Sequence, residues 1–115
     1  MSKREFNMEI VVNLQYEATH NWPNCDIPEV AYLKHPHRHL FHIKCKAEVN
    51  HSDRDLEIIM FKRGVLQHLE EKYAGSFGSQ SCEMIALELF ILFELTECQV
   101  LEDGENGAIV TLKNN

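Results

Sequence analysis

The sequence predicts an α+β fold: a four-stranded antiparallel sheet in the order strand, strand, helix, helix, strand, strand, with both helices on one face. Three observations predict it. Two long segments alternate apolar and polar residues with period two. Two consecutive segments repeat apolar residues every three or four positions. Two short alternating runs close the chain around the turn "DGENG". Strands and helices fall in blocks, which speaks against an alternating parallel α/β sheet. At 115 residues the chain is expected to form a single domain, 1–115, around one core.

The first strand is read from "FNMEIVVNLQYEA", where Phe6, Met8, Ile10, Val12, Leu14, Tyr16 and Ala18 share one face and Asn7, Glu9, Asn13, Gln15 and Glu17 the other. The segment "HNWPNCDIPEVAYLKHP" holds all three prolines and reads as a long loop. Residues 37–49 alternate again, with Phe41, Ile43, Cys45, Ala47 and Val49 inward and Arg38, His42, Lys44, Lys46 and Glu48 outward. From about Leu56 to Tyr73, Ile58, Phe61, Val65, Leu69 and Tyr73 mark an amphipathic helix. "AGSFGS" breaks it, and Ser81 opens a second helix to about Leu95, apolar around most of its circumference. "TECQVLE" and "AIVTLK" then form a hairpin about the Asp-Gly turn.

Composition excludes several classes. The formal net charge of −7 speaks against binding to a nucleic-acid phosphate backbone, and no long basic run offers such a footprint. The longest apolar stretch, "MIALELFILFEL", is interrupted by Glu88 and Glu94, so no membrane span is expected. "MSKREFNMEI" lacks the apolar core of a leader peptide, which makes the cytoplasm the expected compartment. Cys25, Cys45, Cys82 and Cys98 form no paired CxxC motif, so free thiols are expected rather than a zinc ribbon or a disulfide framework.

Strand parity gives the candidate site. Side chains two apart lie on one face. Extending the inward series of the second strand back from Phe41 gives His39 and His37; extending that of the first past Ala18 gives His20. Three imidazoles from two strand ends thus point to the inner side of the sheet, a pattern suited to Zn²⁺ with one position left for water or substrate. Core histidines satisfied by backbone groups are the alternative. His42 has the opposite parity and faces out; His35 replaces one ligand if the loop bends. In the third long strand Cys98, Val100 and Glu102 point inward, which puts a carboxylate at the strand end, able to take paired hydrogen bonds from an amide N–H and an exocyclic amine of a pterin or guanine-like ring. A solvated charge beside a turn is the competing reading. Ser81 and Glu83 read first as an N-cap and a favourable first-turn acid.

Taken together, these residues resemble the tunnelling-fold family of 6-pyruvoyl-tetrahydropterin and 6-carboxytetrahydropterin synthases. "EATH" resembles its first-strand histidine motif, "HRH" its His-Gly-His, "SCEM" its Thr-x-Glu-Asn helix start and "VLE" its late pterin-anchoring glutamate. The resemblance implies Zn²⁺ on His20, His37 and His39, and a pterin-like or purine-like ring held by Glu102 with help from Ser81 and Glu83. It also implies a homo-oligomer, trimer or hexamer, whose sheets join edge to edge with sites between subunits. The departures are equally specific. Leu33 stands where the family carries its catalytic cysteine. "LQH", Leu66 to His68, offers Gln67 in place of the aspartate of the family's Leu-Asp-His, and "IIMF" lacks the aspartate usual at that helix start.

The resemblance therefore implies a divergent, zinc-dependent member that acts on or binds a pterin or deazapurine-type small molecule. If it is a lyase of the family type, Cys25 is the candidate base, with His35 or His68 behind it. The alternatives are a non-catalytic module capturing a pterin or purine nucleotide at subunit interfaces, and a structural oligomer whose zinc staples loop to sheet.

Overall fold

The computed structural model describes residues 4–113. Residues 1–3 and 114–115 lie outside it, and with them the first residues of the segment read above for a leader. Strand β1 (Met8–His20) and strand β2 (His37–Val49) form a long antiparallel pair, with His20 opposite His37 and Met8 opposite Val49. Helix α1 (Ile58–Tyr73), strand β3 (Ser76–Gly78), helix α2 (Cys82–Leu92), strand β4 (Glu97–Glu102) and strand β5 (Asn106–Thr111) follow. The loop between β1 and β2 contains a 3-10 turn, Pro28–Lys34, with proline in its first turn.

The α+β class stands, but the sheet differs from expectation. Among the described residues it has five strands in the order β3-β1-β2-β4-β5, and β3 runs parallel to β1. The break "AGSFGS" supplies the extra strand. Three residues are too few to display a period, and what holds them is tertiary. Phe77 is buried, with its ring 4.9 Å from Phe41, 5.6 Å from Tyr16 and 4.8 Å from Tyr73. The backbone joins in through Thr19 N–H to Gly75 O (3.0 Å) and Asn21 N–H to Gly78 O (2.9 Å). The Tyr16 hydroxyl also accepts from Gly75 N at 2.8 Å.

The inward parity of the long strands holds along most of their length, but Phe6 lies before β1 and, like Met8 at its start, is exposed rather than facing the core. Val12, Leu14, Tyr16 and Ala18 of β1, Phe41, Ile43, Cys45 and Ala47 of β2, and Cys98 and Val100 of β4 form one buried cluster with Val65 and Leu69 of α1 and Ile85, Ala86 and Leu89 of α2. Both helices therefore cover the same face. Their starts are capped by side chains: the Glu57 carboxylate accepts from Ile59 N and Met60 N, and Ser81 Oγ from Met84 N. Those backbone donors hold the Glu57 carboxyl below its ordinary range. Helix α2 ends at Leu92, not Leu95, because Glu94 turns to a φ of 52°. Among the described residues no helix is long and apolar enough to cross a membrane.

A second polar cluster joins the helices. Glu88 accepts from His68 Nε2 (2.8 Å), Lys72 Nζ (2.6 Å) and Tyr73 OH (2.6 Å). Burial pushes the Glu88 carboxyl up, but these hydrogen bonds outweigh it and hold the group below its ordinary range. Burial, with the Glu88 hydrogen bond, pushes the Tyr73 phenol up to about 12.

Candidate metal centre

The expected imidazoles meet. His20 ends β1, and His37 and His39 open β2; one ring nitrogen from each lies within 4.8 Å of the others. Their ring centroids are 4.6 Å (His20–His37), 5.3 Å (His20–His39) and 4.9 Å (His37–His39) apart, and each pair is close to perpendicular. Phe41 packs edge-on beneath two of them, 5.2 Å from His20 and 5.7 Å from His39.

Each Nδ1 is engaged. His20 Nδ1 lies 3.0 Å from Gln80 O, His37 Nδ1 2.9 Å from His35 O, and His39 Nδ1 2.7 Å from an Asp103 carboxylate oxygen. A carbonyl or carboxylate oxygen can only accept, so in each ring Nδ1 carries the proton and donates it. In the neutral ring Nε2 is then an unprotonated lone pair. Histidines that bind metals are oriented in this way, by a hydrogen bond on the opposite nitrogen.

The Nε2 atoms supply the test of fit. Those of His20 and His37 are buried and, among the described residues, have no hydrogen-bond partner. A buried polar atom left unpaired costs on the order of 1–3 kcal/mol and calls for an explanation. A metal ion shared by three such lone pairs provides one, and the three imidazoles can hold it.

Around them lies a cavity of about 500 Å³, lined by His20, His37, Glu102, Ser81, Glu83 and Trp22 among others, a size suited to a small molecule. Ser81 Oγ accepts from Met84 N at 3.1 Å, which leaves its hydroxyl proton free to donate, and Glu83 is exposed at the mouth. Glu102, opposite Phe41 in the β2–β4 register, turns back onto the imidazoles: Oε2 lies 2.9 Å from His20 Nε2 and Oε1 3.6 Å from His39 Nε2. Cys82 approaches the same carboxylate at 3.8 Å, and burial, reinforced by Glu102 and Glu83, pushes its thiol up to about 12.

The remaining candidates sit elsewhere. Cys25 is buried within its own loop, its thiol turned to the Ile27 and Val30 carbonyls at 3.8 and 3.6 Å. His35 contributes its backbone oxygen while its side chain is exposed. His68 is committed to Glu88. His42 lies half-buried over Gly104 on the outer side of the sheet, as its parity predicts.

Two residues at the centre escaped the sequence reading. Gln80 holds His20 through its backbone oxygen, so no side-chain pattern announces it. Asp103 had a legible signal in the Asp-Gly turn. Asp103 and Gly104 take φ of 55° and 75°, Glu105 N–H bonds back to Glu102 O, and the turn sets Asp103 beside the start of β2. There its N–H bonds to Leu40 O (2.8 Å), one carboxylate oxygen accepts from Leu40 N (3.0 Å), and the other accepts from His39. The His39 hydrogen bond and that from Leu40 hold the Asp103 carboxyl below its ordinary range.

No protein-family model matches the chain, and no curated protein sequence matches it either.

Proposed function

We propose that this chain is a divergent, zinc-binding protein of the 6-pyruvoyl-tetrahydropterin synthase type, whose cavity takes a pterin or deazapurine-type small molecule beside the metal. One observation carries the proposal: three imidazoles with tethered Nδ1 atoms bring one ring nitrogen each within 4.8 Å of the others, and two of them, His20 and His37, line a cavity of about 500 Å³. Imidazole nitrogen suits Zn²⁺, which when bound supplies Lewis-acid polarisation of a ligand oxygen. The chain's own groups bind and orient. Ser81 donates a hydroxyl and Glu83 accepts at the mouth, while Trp22 offers an aromatic face to a planar ring.

Binding without turnover is favoured by a separate observation. Leu33, which stands where the resemblance puts a catalytic cysteine, lines the cavity with an apolar side chain. Cys25 faces loop carbonyls, and His68 faces Glu88. Cys82 does line the cavity, its thiol 3.8 Å from Glu102, but burial, reinforced by Glu102 and Glu83, pushes that thiol up to about 12, which makes it a poor proton carrier at neutral pH. On this reading the chain is a capture module of the synthase type.

Assembly into a trimer or hexamer is part of the same proposal. Among the described residues strand β5 has one neighbour, and three-residue β3 leaves most of the other side of β1 unpaired. Open edges of this kind are normally covered or paired. Met84, Leu87, Ile91 and Leu92 add an exposed apolar face on α2.

The test is metal analysis of the purified protein beside His37→Ala, followed by incubation with dihydroneopterin triphosphate. Zinc in the parent and its loss in the variant are expected, with the pterin bound and chemically intact. Metal content that survives His37→Ala sinks the site assignment; conversion of the pterin sinks the capture-module reading in favour of an enzyme.

A further inference from the structure

We infer that Glu102 is the fourth ligand of the metal centre and closes its coordination shell until a small molecule displaces it. The inference rests on the metal-centre reading and goes beyond it, because the sequence pattern assigns Glu102 to the ring of a bound ligand instead.

The argument begins with a contact that fits no ordinary pairing. Glu102 Oε2 lies 2.9 Å from His20 Nε2, close enough for a hydrogen bond, yet among the described residues His20 Nε2 has no hydrogen-bond partner. The two atoms are near each other without donor–acceptor alignment. In the neutral ring the proton of His20 is moreover on the other nitrogen, donated to Gln80 O at 3.0 Å. A lone pair on nitrogen thus faces a carboxylate oxygen. That approach is repulsive unless a positive charge lies between them, and a shared metal ion supplies one to both imidazoles at once. His39 repeats the arrangement: its Nδ1 is committed to Asp103 at 2.7 Å, and its Nε2 stands 3.6 Å from Glu102 Oε1.

These separations match those a shared ion imposes. Zinc holds nitrogen and oxygen donors at about 2.0–2.2 Å, so tetrahedral neighbours lie roughly 3.3 Å from one another. The two Glu102 contacts, 2.9 and 3.6 Å, bracket that value. The donors also come from three adjacent strands in the order β1, β2, β4, and the register sets Glu102 across from Phe41, two residues beyond His39. The sheet therefore delivers the carboxylate to the open side of the three imidazoles. The nearby Cys82 thiol, 3.8 Å from Oε2, is too distant and too weak a donor to account for the carboxylate's orientation.

A closed shell of three imidazoles and one carboxylate differs in chemistry from an open three-histidine site. It has no standing water to activate. A ligand that reaches the metal must exchange with Glu102, and the carboxylate it releases is then free for the ligand's own donors.

The test uses the full chain loaded with Co²⁺ as a spectroscopic stand-in for Zn²⁺, and azide as the exogenous ligand. The parent is expected to give a four-coordinate visible spectrum that azide does not alter. Glu102→Ala should bind azide with a clear spectral change. It should also hold Zn²⁺ at least 10–100-fold more weakly in chelator competition, because loss of a ligand costs no less than loss of an outer-shell partner. Glu102→Gln should weaken Zn²⁺ in the same direction, and unchanged far-UV circular dichroism of both variants shows that the fold persists. If azide shifts the parent spectrum as readily as that of Glu102→Ala, or if zinc affinity survives both substitutions while His37→Ala abolishes it, Glu102 is not a ligand and the three-histidine site stands without it. If His37→Ala leaves metal binding intact, the metal-centre reading itself fails.

Discussion

Replacing Asp103 by asparagine changes few atoms and separates orientation of the site from its shape. The carboxylate serves two donors at once, His39 Nδ1 at 2.7 Å and Leu40 N at 3.0 Å. Asparagine has one oxygen and one NH₂ in their place, so it can accept from only one of the two. If its oxygen faces Leu40 N, the NH₂ faces His39 Nδ1, and the ring relieves the clash by moving its proton to Nε2. That tautomer has no lone pair for a metal. If the oxygen faces His39 instead, Leu40 N meets another donor and the turn is pushed away from β2. In either orientation the metal set loses a properly oriented member, and loss of such an outer-shell partner typically weakens metal affinity by roughly 10–100-fold. Competition against a chelating dye measures this directly, with zinc affinity compared between parent and Asp103→Asn. The far-UV spectrum should be unchanged. An affinity within about twofold of the parent would refute the claim that the His39–Asp103 contact orients the ligand.

Two further perturbations probe the frame. Phe41→Ala should cost about 3–5 kcal/mol in denaturant unfolding, because the ring is fully buried between Phe77 and the two imidazoles; a loss under about 1 kcal/mol would mean that this floor collapses without penalty. Glu88→Gln should cost about 1–3 kcal/mol at neutral pH by disrupting the cluster with His68 and Tyr73. Since the folded carboxyl is held below its ordinary range, its contribution is present above the unfolded value of about 4.3 and fades as pH falls through the folded value. The gap between parent and variant in urea midpoints should therefore narrow below about pH 4, and a gap that widens there contradicts this sign.

What the residues disclosed in advance follows from how each feature is encoded. In strands of thirteen residues the period-two alternation is long enough to fix facing, so His20, His37 and His39 could be assigned to one side before any coordinates. The same parity pointed Glu102 inward. It could not show that the carboxylate bends back onto the imidazoles, because facing specifies a side of the sheet and not a rotamer. Strand β3 escaped because its pairing partner is distant in sequence and its hold depends on Phe77 filling space among Tyr16, Phe41 and Tyr73. Cys25 drew attention as a thiol in a functional-looking loop, whereas the 3-10 turn from Pro28 folds that loop's carbonyls around it.

The position of the imidazoles along the strands has a mechanical consequence. They occupy the end of the β1–β2 pair from which the long connecting loop departs, beside the short strand β3. Among the described residues the opposite end, at Met8 and Val49, carries no such cluster. An ion seated on His20, His37 and His39 would thus act as a clasp, tying the last residue of β1 to the first residues of β2 across the mouth of the loop. Hydrogen–deuterium exchange at Thr19, Arg38 and Leu40 would then slow when the ion is present and quicken when it is stripped. The backbone itself becomes the gauge of occupancy.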